Sequence, residues 1–331
     1  MRRASCGIRL TAVIGLLLPL IGVVGQTESP PQSQPQLQQI RMSLIVTDGS
    51  NRPVEDVRQE EIQFTEDGEA RQITFFARDE RPLRYVIALD SSGSFRSLLP
   101  QCLAVARALI ENNRPNDETM IVSFVSSDQI EKLQDFTTDK AKLVDSLKLV
   151  RIKGGQTAVV DAVHVAVEAT AAKTSDSAEV RRAVVLLTDG EDRNSSHTTD
   201  QLMKLIRETD VQISVIGLVT ELEKESGLIR TSPRERAEKL LTSLAKETGG
   251  KVFFARNPKE IIQVAQQINK LLGSLYTIGF DREIKPGEKG FRKVKVSIVR
   301  PPEGAKLVAI TRPGYWVGPR EPDRTKGKAK N

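Results

Sequence analysis

Two apolar runs that each end on a carboxylate constrain this chain more than any other feature. Tyr85-Val86-Ile87-Ala88-Leu89 leads directly into Asp90-Ser91-Ser92-Gly93-Ser94, and Ala183-Val184-Val185-Leu186-Leu187 leads into Thr188-Asp189-Gly190. Each is a continuous run of apolar and β-favouring residues, so each reads as a buried strand running into a tight polar turn. Between them, Gly154-Gly155-Gln156-Thr157 opens a helix-like run, Ala158 to Ala172, and sets a hydroxyl at its start. The donors in these turns are hard oxygen atoms. Mg²⁺ takes such ligands in near-octahedral arrangement, keeps several waters and uses few carboxylates, so an Asp with two hydroxyls in one turn suits it better than Zn²⁺. Residues 90, 92 and 94 can converge while Ser91 and Gly93 supply the turn. A second reading of this loop is a Ser/Gly-rich turn whose hydroxyls cap the next helix.

Asp90-x-Ser92-x-Ser94, Thr157 and Asp189 together resemble the metal-ion-dependent adhesion site of the von Willebrand factor type A domain. The likeness covers about residues 83–273, fills every polar position of the motif and keeps the family's order at strand-to-helix turns. It implies direct or water-mediated coordination of Mg²⁺ or Mn²⁺ by Asp90, Ser92, Ser94, Thr157 and Asp189. It also implies an open coordination position, completed by an exposed Asp or Glu of a protein partner. Phe95 after the first loop and Gln156 beside Thr157 depart from the pattern without removing a ligand.

The rest of 83–273 alternates strand and helix. Helical patterns cover Ser97 to Asn113, with Leu98, Cys102, Val105 and Leu109 on one face, and Thr138 to Leu149, Thr199 to Thr209, Ala237 to Thr248 and Pro258 to Leu272. Strand patterns cover Thr119 to Val125, Val211 to Leu218 and Lys251 to Ala255, with a short edge strand over Gln129 to Leu133. A charged insertion, Thr220 to Arg236, interrupts the rhythm. Such alternation predicts an α/β fold, a doubly wound, mostly parallel sheet covered on both faces. In sheets of this kind ligands gather at the carboxyl ends of strands, near a reversal of strand order, and Asp90, Thr157 and Asp189 can all lie on that rim. Asp161, one turn past Thr157, reads either as orienting that hydroxyl or a metal-bound water or as a solvated or capping acid. His164 reads as a packed or exposed side chain rather than a ligand.

Flanking segments lack the rhythm. Residues 40–80 hold strand-like runs at Arg41 to Thr47, Glu61 to Thr65 and Ile73 to Ala77, with Asp48 and Asp67 in Asp-Gly turns that need no ligand. Residues 274–317 hold runs at Leu275 to Phe280, Arg292 to Val299 and Lys306 to Ile310 between Pro/Gly turns. The first series resembles the β segment that precedes the type A domain in a group of bacterial secreted proteins. Alone it is too small to stand, so the later strands are expected to complete it as one smaller β module.

Arg2, Arg3 and Arg9, then Leu10 to Val24, then Val23-Val24-Gly25 have the basic, apolar and small-residue order of a cleaved export signal over 1–25. The apolar run is short for a spanning helix, so no membrane span is expected in the mature chain. An uncleaved anchor is the alternative reading. Residues 26–39, rich in Gln, Pro and Ser, read as a linker, and residues 318–331 as a disordered basic tail. Cys102 is the only cysteine after cleavage, which excludes an intrachain disulfide and suits a packing thiol. Removal of the three leading arginines takes the formal charge from +6 to +3. With few aromatics beside the basic tail, no nucleic-acid surface is expected.

Enzyme classes lack their signatures. No glycine-rich phosphate loop follows the first strand of the sheet, His164 and His197 do not form a zinc pair, and no G-x-S-x-G elbow presents a serine. The reading is a secreted or periplasmic, non-enzymatic protein that binds an acidic group of a partner through a divalent cation. The alternative is a structural envelope protein whose metal only stabilises the loop.

Overall fold

The computed structural model describes residues 36–172, 180–219, 222, 231–300 and 306–318. The export signal expected over 1–25, residues 26–35 of the expected linker, most of the charged insertion and residues 319–331 of the expected tail lie outside them. Among the described residues no helix is long and apolar enough to cross a membrane.

The chain opens with β1 (Gln36–Thr47), β2 (Ile62–Glu66), β3 (Glu69–Ala70) and β4 (Phe75–Arg78). An α/β unit follows: β5 (Leu83–Asp90), α1 (Leu99–Glu111), β6 (Glu118–Phe124), β7 (Ile130–Thr137), α2 (Lys140–Leu147), α3 (Val159–Ala171) and β8 (Arg181–Thr188). It continues through α4 (Thr199–Glu208), β9 (Gln212–Gly217), α5 (Pro233–Thr248), β10 (Val252–Phe254) and α6 (Pro258–Gly273). The last strands are β11 (Tyr276–Ile284), β12 (Gly290–Ile298), β13 (Val308–Ile310) and β14 (Gly314–Val317).

The α/β unit is a six-stranded sheet of order β10-β9-β8-β5-β6-β7, parallel except at the β6–β7 hairpin. β5 alternates its side chains between two cores. Tyr85, Ile87 and Leu89 meet Val105 and Leu109 of α1, Leu143 of α2 and Ile261 and Ile268 of α6. Val86 and Ala88 meet Val160 and Val163 of α3, Leu202 of α4 and Leu241 of α5. A strand buried on both faces has no room for polar alternation, which accounts for its unbroken apolar sequence. From β5 the chain crosses to β6 on one side and later to β8 on the other. The reversal of strand order therefore lies between β5 and β8, and a crevice opens at their carboxyl ends.

The flanking strands form two antiparallel sheets, β13-β1-β11-β4 and β14-β12-β2-β3. Leu44 of β1, Phe64 of β2, Ile278 and Phe280 of β11 and Tyr315 of β14 share one core. Trp316 points away from it, 46% exposed. The carboxylates of Asp48 and Asp67 accept amides of their own turns or of β12, at Ser50, Arg52 and Lys293.

Among the boundaries that differ from the sequence reading, three have a plain cause in the fold. β1 begins at Gln36, inside the expected linker, because β11 runs on to Ile284 and gives Gln36 to Gln39 an antiparallel partner. β7 extends to Thr137 rather than Leu133, since β6 supplies ladder partners up to Thr119. α5 starts at Pro233, not Ala237. Ser232 accepts the Glu235 amide and Glu235 reaches back to the Ser232 amide, so a capping box recruits a turn from the charged insertion.

Candidate metal centre

The crevice between β5 and β8 is where the sequence places its acids. Asp90 is the last residue of β5 and Asp189 the first after β8, and both are buried. The chain turns sharply after Asp90 because Ser92 donates its amide to Asp90 Oδ1 at 3.0 Å, and a single 3₁₀ turn, Gly93–Phe95, follows. That turn drives Phe95 into the core against α1, which explains the bulky residue the motif left unaccounted for. Cys102, on the buried face of α1, is a packing thiol pushed up to about 12 by burial and then by Asp90.

Hydroxyls link the two carboxylates. Ser94 Oγ donates to Asp189 Oδ2 at 2.7 Å and lies 3.0 Å from Ser92 Oγ. Asp189 Oδ1 accepts the Glu191 amide at 3.0 Å. Thr188 was not among the expected site residues, yet its hydroxyl donates to Asp90 Oδ2 at 2.7 Å and accepts the Gly190 amide at 3.0 Å. Its signal in the sequence is only a hydroxyl beside a carboxylate at a strand end. Asp90, Ser92 and Asp189 are buried while Ser94 is exposed, so the cluster opens to solvent on the Ser94 side.

Electrostatics follow from this burial. Burial, and next to it the charge of Asp189, push the Asp90 carboxyl up to about 7, against hydrogen bonds from Thr188 and Ser92. Asp189 is raised too, by burial, against hydrogen bonds from Ser94 and Glu191. Neutral donors stabilise each carboxylate without cancelling the charge of the pair.

Main-chain bonds bring Thr157 to the same rim. Lys153 donates its amide to the Ser91 carbonyl at 2.9 Å, and Ala158 donates to the Val125 carbonyl at 2.6 Å. The Thr157 carbonyl accepts the amides of Arg193 and Asn194 at 2.8 and 3.2 Å, which ties its loop to the one after Asp189. Gly155 makes the approach at φ +145°, and a Cβ there would sit 3.0 Å from Val125 Cγ1. Thr157 is buried at the start of α3, and its hydroxyl has no hydrogen-bond partner among the described residues. Asp90, Ser92, Ser94 and Asp189 thus form one bonded group, and Thr157 joins it through backbone alone.

Asp161 is neither solvated nor bonded to the Thr157 hydroxyl. It is buried and accepts the amides of Ser196 and His197 at 2.7 and 2.9 Å and the His197 Nδ1 at 2.7 Å. Burial alone would raise its carboxyl, but the Ser127 hydroxyl and these Ser196 and His197 donors outweigh it and hold the group at about 2. His164 stacks on the His197 ring with centroids 4.0 Å apart. This group fastens the loop after Asp189 onto α3.

The donor set fits a small hard cation. Two carboxylates that burial drives toward protonation and one hydroxyl without a partner lie on one rim with two linked serine hydroxyls. All are oxygen donors, the chemistry that selects Mg²⁺ or Mn²⁺. Among the described residues no group of three or more His, Cys, Asp or Glu side chains is placed to hold a metal.

Residues 85–191 match the family model of the von Willebrand factor type A domain. The chain is similar to an aerotolerance-related membrane protein from Bacteroides fragilis at 22% identity, covering 57% of this chain and 99% of that one with a TM-score of 0.44. It is similar to a von Willebrand factor type A protein from Catenulispora acidiphila at 13% identity, over 86% and 75% of the two chains, with a TM-score of 0.46. Proximal thread matrix protein 1 from the mussel byssus, solved with zinc in its metal-ion-dependent adhesion motif, is 18% identical over 64% and 50%, with a TM-score of 0.45. No curated protein sequence matches the chain.

Proposed function

From the match of residues 85–191 to the von Willebrand factor type A family model we propose that this chain is a non-enzymatic binding protein that recruits a protein partner through a divalent cation. Asp90, Ser92, Ser94, Thr157 and Asp189 would hold Mg²⁺ or Mn²⁺, and the partner would supply an exposed Asp or Glu. The observation that carries this reading is the buried pair Asp90 and Asp189, linked by hydroxyls on a rim that opens at Ser94. The bound cation supplies Lewis acidity toward an incoming carboxylate, because only two of the five donors are charged.

The residues of the chain do the remaining work. Thr188 and the Ser92 amide fix the Asp90 carboxylate, Glu191 and Ser94 fix Asp189, and Asp161 fastens the loop after Asp189. The serine hydroxyls are committed to Asp189 and to each other rather than to a histidine, which favours binding over hydrolysis. We assign residues 1–25 to export and place the mature chain outside the cytoplasm, secreted or periplasmic. Residues 40–80 and 274–317 would act as one β module beside the type A domain at 83–273.

A pull-down from envelope extract, run in Mg²⁺ and in excess chelator, tests the proposal. Partner capture should require metal and fail in Thr157→Ala and Asp189→Ala variants that remain folded. Equal capture under all conditions would mean that any metal here is structural and that the partner docks elsewhere.

A further inference from the structure

The opposite end of the same sheet carries a second, chemically different feature. A cavity of about 490 Å³ lies between the amino ends of β5 and β8 and the sheet formed by β1, β4 and β11, and six arginines and three acids line it. Most of these charges are matched. Arg81 pairs with Asp79 at 2.7 Å, and Asp79 also accepts the Thr277 hydroxyl. Arg182 pairs with Asp210 at 2.9 Å, and Arg78 with Glu55 outside the cavity lining.

Arg181 differs. It is only 6% exposed, and its Nε and Nη1 donate to the carbonyls of Arg81 and Leu272 at 3.0 and 2.5 Å. No carboxylate among the described residues lies within ion-pair distance of it. Burial, and then Arg114, lower its guanidinium to about 10, against Asp79 and Asp117. On the β1 side, Arg41 stacks over Phe75 at 4.3 Å and bonds Gln39 rather than an acid. Arg312 reaches the wall with its Nη2 on the Ile206 carbonyl. A buried guanidinium held by carbonyls keeps its full charge, and a second arginine from a separate sheet faces the same space.

We infer that this cavity is an anion site for a phosphate group, with Arg181 and Arg41 as its charged walls. Arginine recognises oxyanions through a fixed fork of donors, and phosphate presents the acceptors that such a fork requires. A cavity of this size also holds more than a bare ion, so the class is a phosphate ester, free or as a lipid headgroup.

The test uses the full mature chain in EDTA, so that the candidate metal centre takes no part. Calorimetry and melting curves follow titration with inorganic phosphate and pyrophosphate against potassium chloride of equal ionic strength. Saturable binding and a raised melting temperature are expected, with affinity about tenfold weaker in Arg41→Gln and abolished in Arg181→Met. Asp90→Ala should bind pyrophosphate like the wild type, which separates this site from the metal-dependent one. Should Arg181→Met fail to fold, Arg41→Gln and Arg312→Gln carry the test. Co-sedimentation with vesicles containing phosphatidic acid assigns the site to a lipid headgroup. Pyrophosphate binding without co-sedimentation assigns it to a soluble ester. Failure in both arms, or binding unchanged by the arginine substitutions, overturns the inference.

Discussion

At the carboxyl ends of β5 and β8 the chain buries two carboxylates, Asp90 and Asp189, whereas at the amino ends of the same strands it buries a guanidinium, Arg181. The partners differ as much as the charges. Hydroxyls and amides bond the acids but carry no charge to offset burial and the like charge of the pair, so Asp90 rises toward neutrality. Around Arg181, the Asp79 and Asp117 charges partly offset burial and its arginine neighbours, and it stays cationic at neutral pH. The first rim therefore changes state over ordinary pH and opens to solvent at Ser94, while the second is a fixed charge. Their common lesson is that strand ends, where the ladder stops, are where this fold places charges its core cannot take.

The largest effect expected from breaking this contrast is at Asp90. Wild-type chain should melt at higher temperature in Mg²⁺ or Mn²⁺ than in EDTA, since binding confined to the native state stabilises it by about 2.7 kcal/mol at a hundredfold excess over Kd. Asp90→Ala should abolish that shift entirely. Ca²⁺ should give a smaller shift than Mg²⁺, because it wants more oxygens at longer distance. A shift that persists in Asp90→Ala would place the metal elsewhere.

Next in size is the pH dependence without metal. The folded-state value of Asp90, about 7, exceeds its ordinary 3.8. The folded form thus binds the proton more tightly, and this contribution is complete below pH 3.8 and lost as pH rises through 7. In EDTA the chain should lose on the order of 1–4 kcal/mol between pH 5 and pH 8, and Asp90→Asn should flatten the slope. Arg181, lowered from 12.5 to about 10, stays charged throughout that window and should contribute no slope. A slope that survives Asp90→Asn would assign it to another group.

Much of this asymmetry was legible before the fold was known. Apolar runs ending in Asp90 and Asp189 disclosed the strands, and alternation with helices disclosed the covered sheet, because burial on both faces writes itself into unbroken hydrophobic sequence. Thr188 was not legible, since a hydroxyl at the end of a strand has no pattern until its neighbour is paired in space. Nor was the fastening role of Asp161, whose amide donors, Ser196 and His197, lie 35 and 36 positions away. Arg181 stands before the apolar run that opens at Ala183, and only its packing against the carbonyls of Arg81 and Leu272 marks it as buried. Long-range polar contacts of this kind depend on register and loop path, which local periodicity does not encode.

Asp161→Ala should have an intermediate effect. It removes a buried acceptor from two amides and a ring nitrogen, which costs about 1–3 kcal/mol. Metal affinity should fall with it, although Asp161 is no ligand in this scheme, because the loop after Asp189 loses its fastening to α3. Denaturant melts and metal titration of the same variant check both statements. Normal affinity in a destabilised variant would show that the loop's position does not depend on this contact.

The smallest effect belongs to Ser94, the exposed member of the cluster. Its hydroxyl donates to Asp189 Oδ2 and lies beside Ser92 Oγ, so Ser94→Ala removes one neutral donor from a half-open site. Stability in EDTA should change by less than about 0.5 kcal/mol, as for most exposed substitutions. Metal affinity should drop about tenfold, since a water can replace one hydroxyl but cannot reproduce its fixed placement against Asp189. Ser94→Thr keeps the oxygen and should restore most of the affinity. Titration calorimetry of both variants decides the point: equal affinity in wild type and Ser94→Ala would remove this hydroxyl from the donor set and leave the cation to Asp90, Ser92, Thr157 and Asp189.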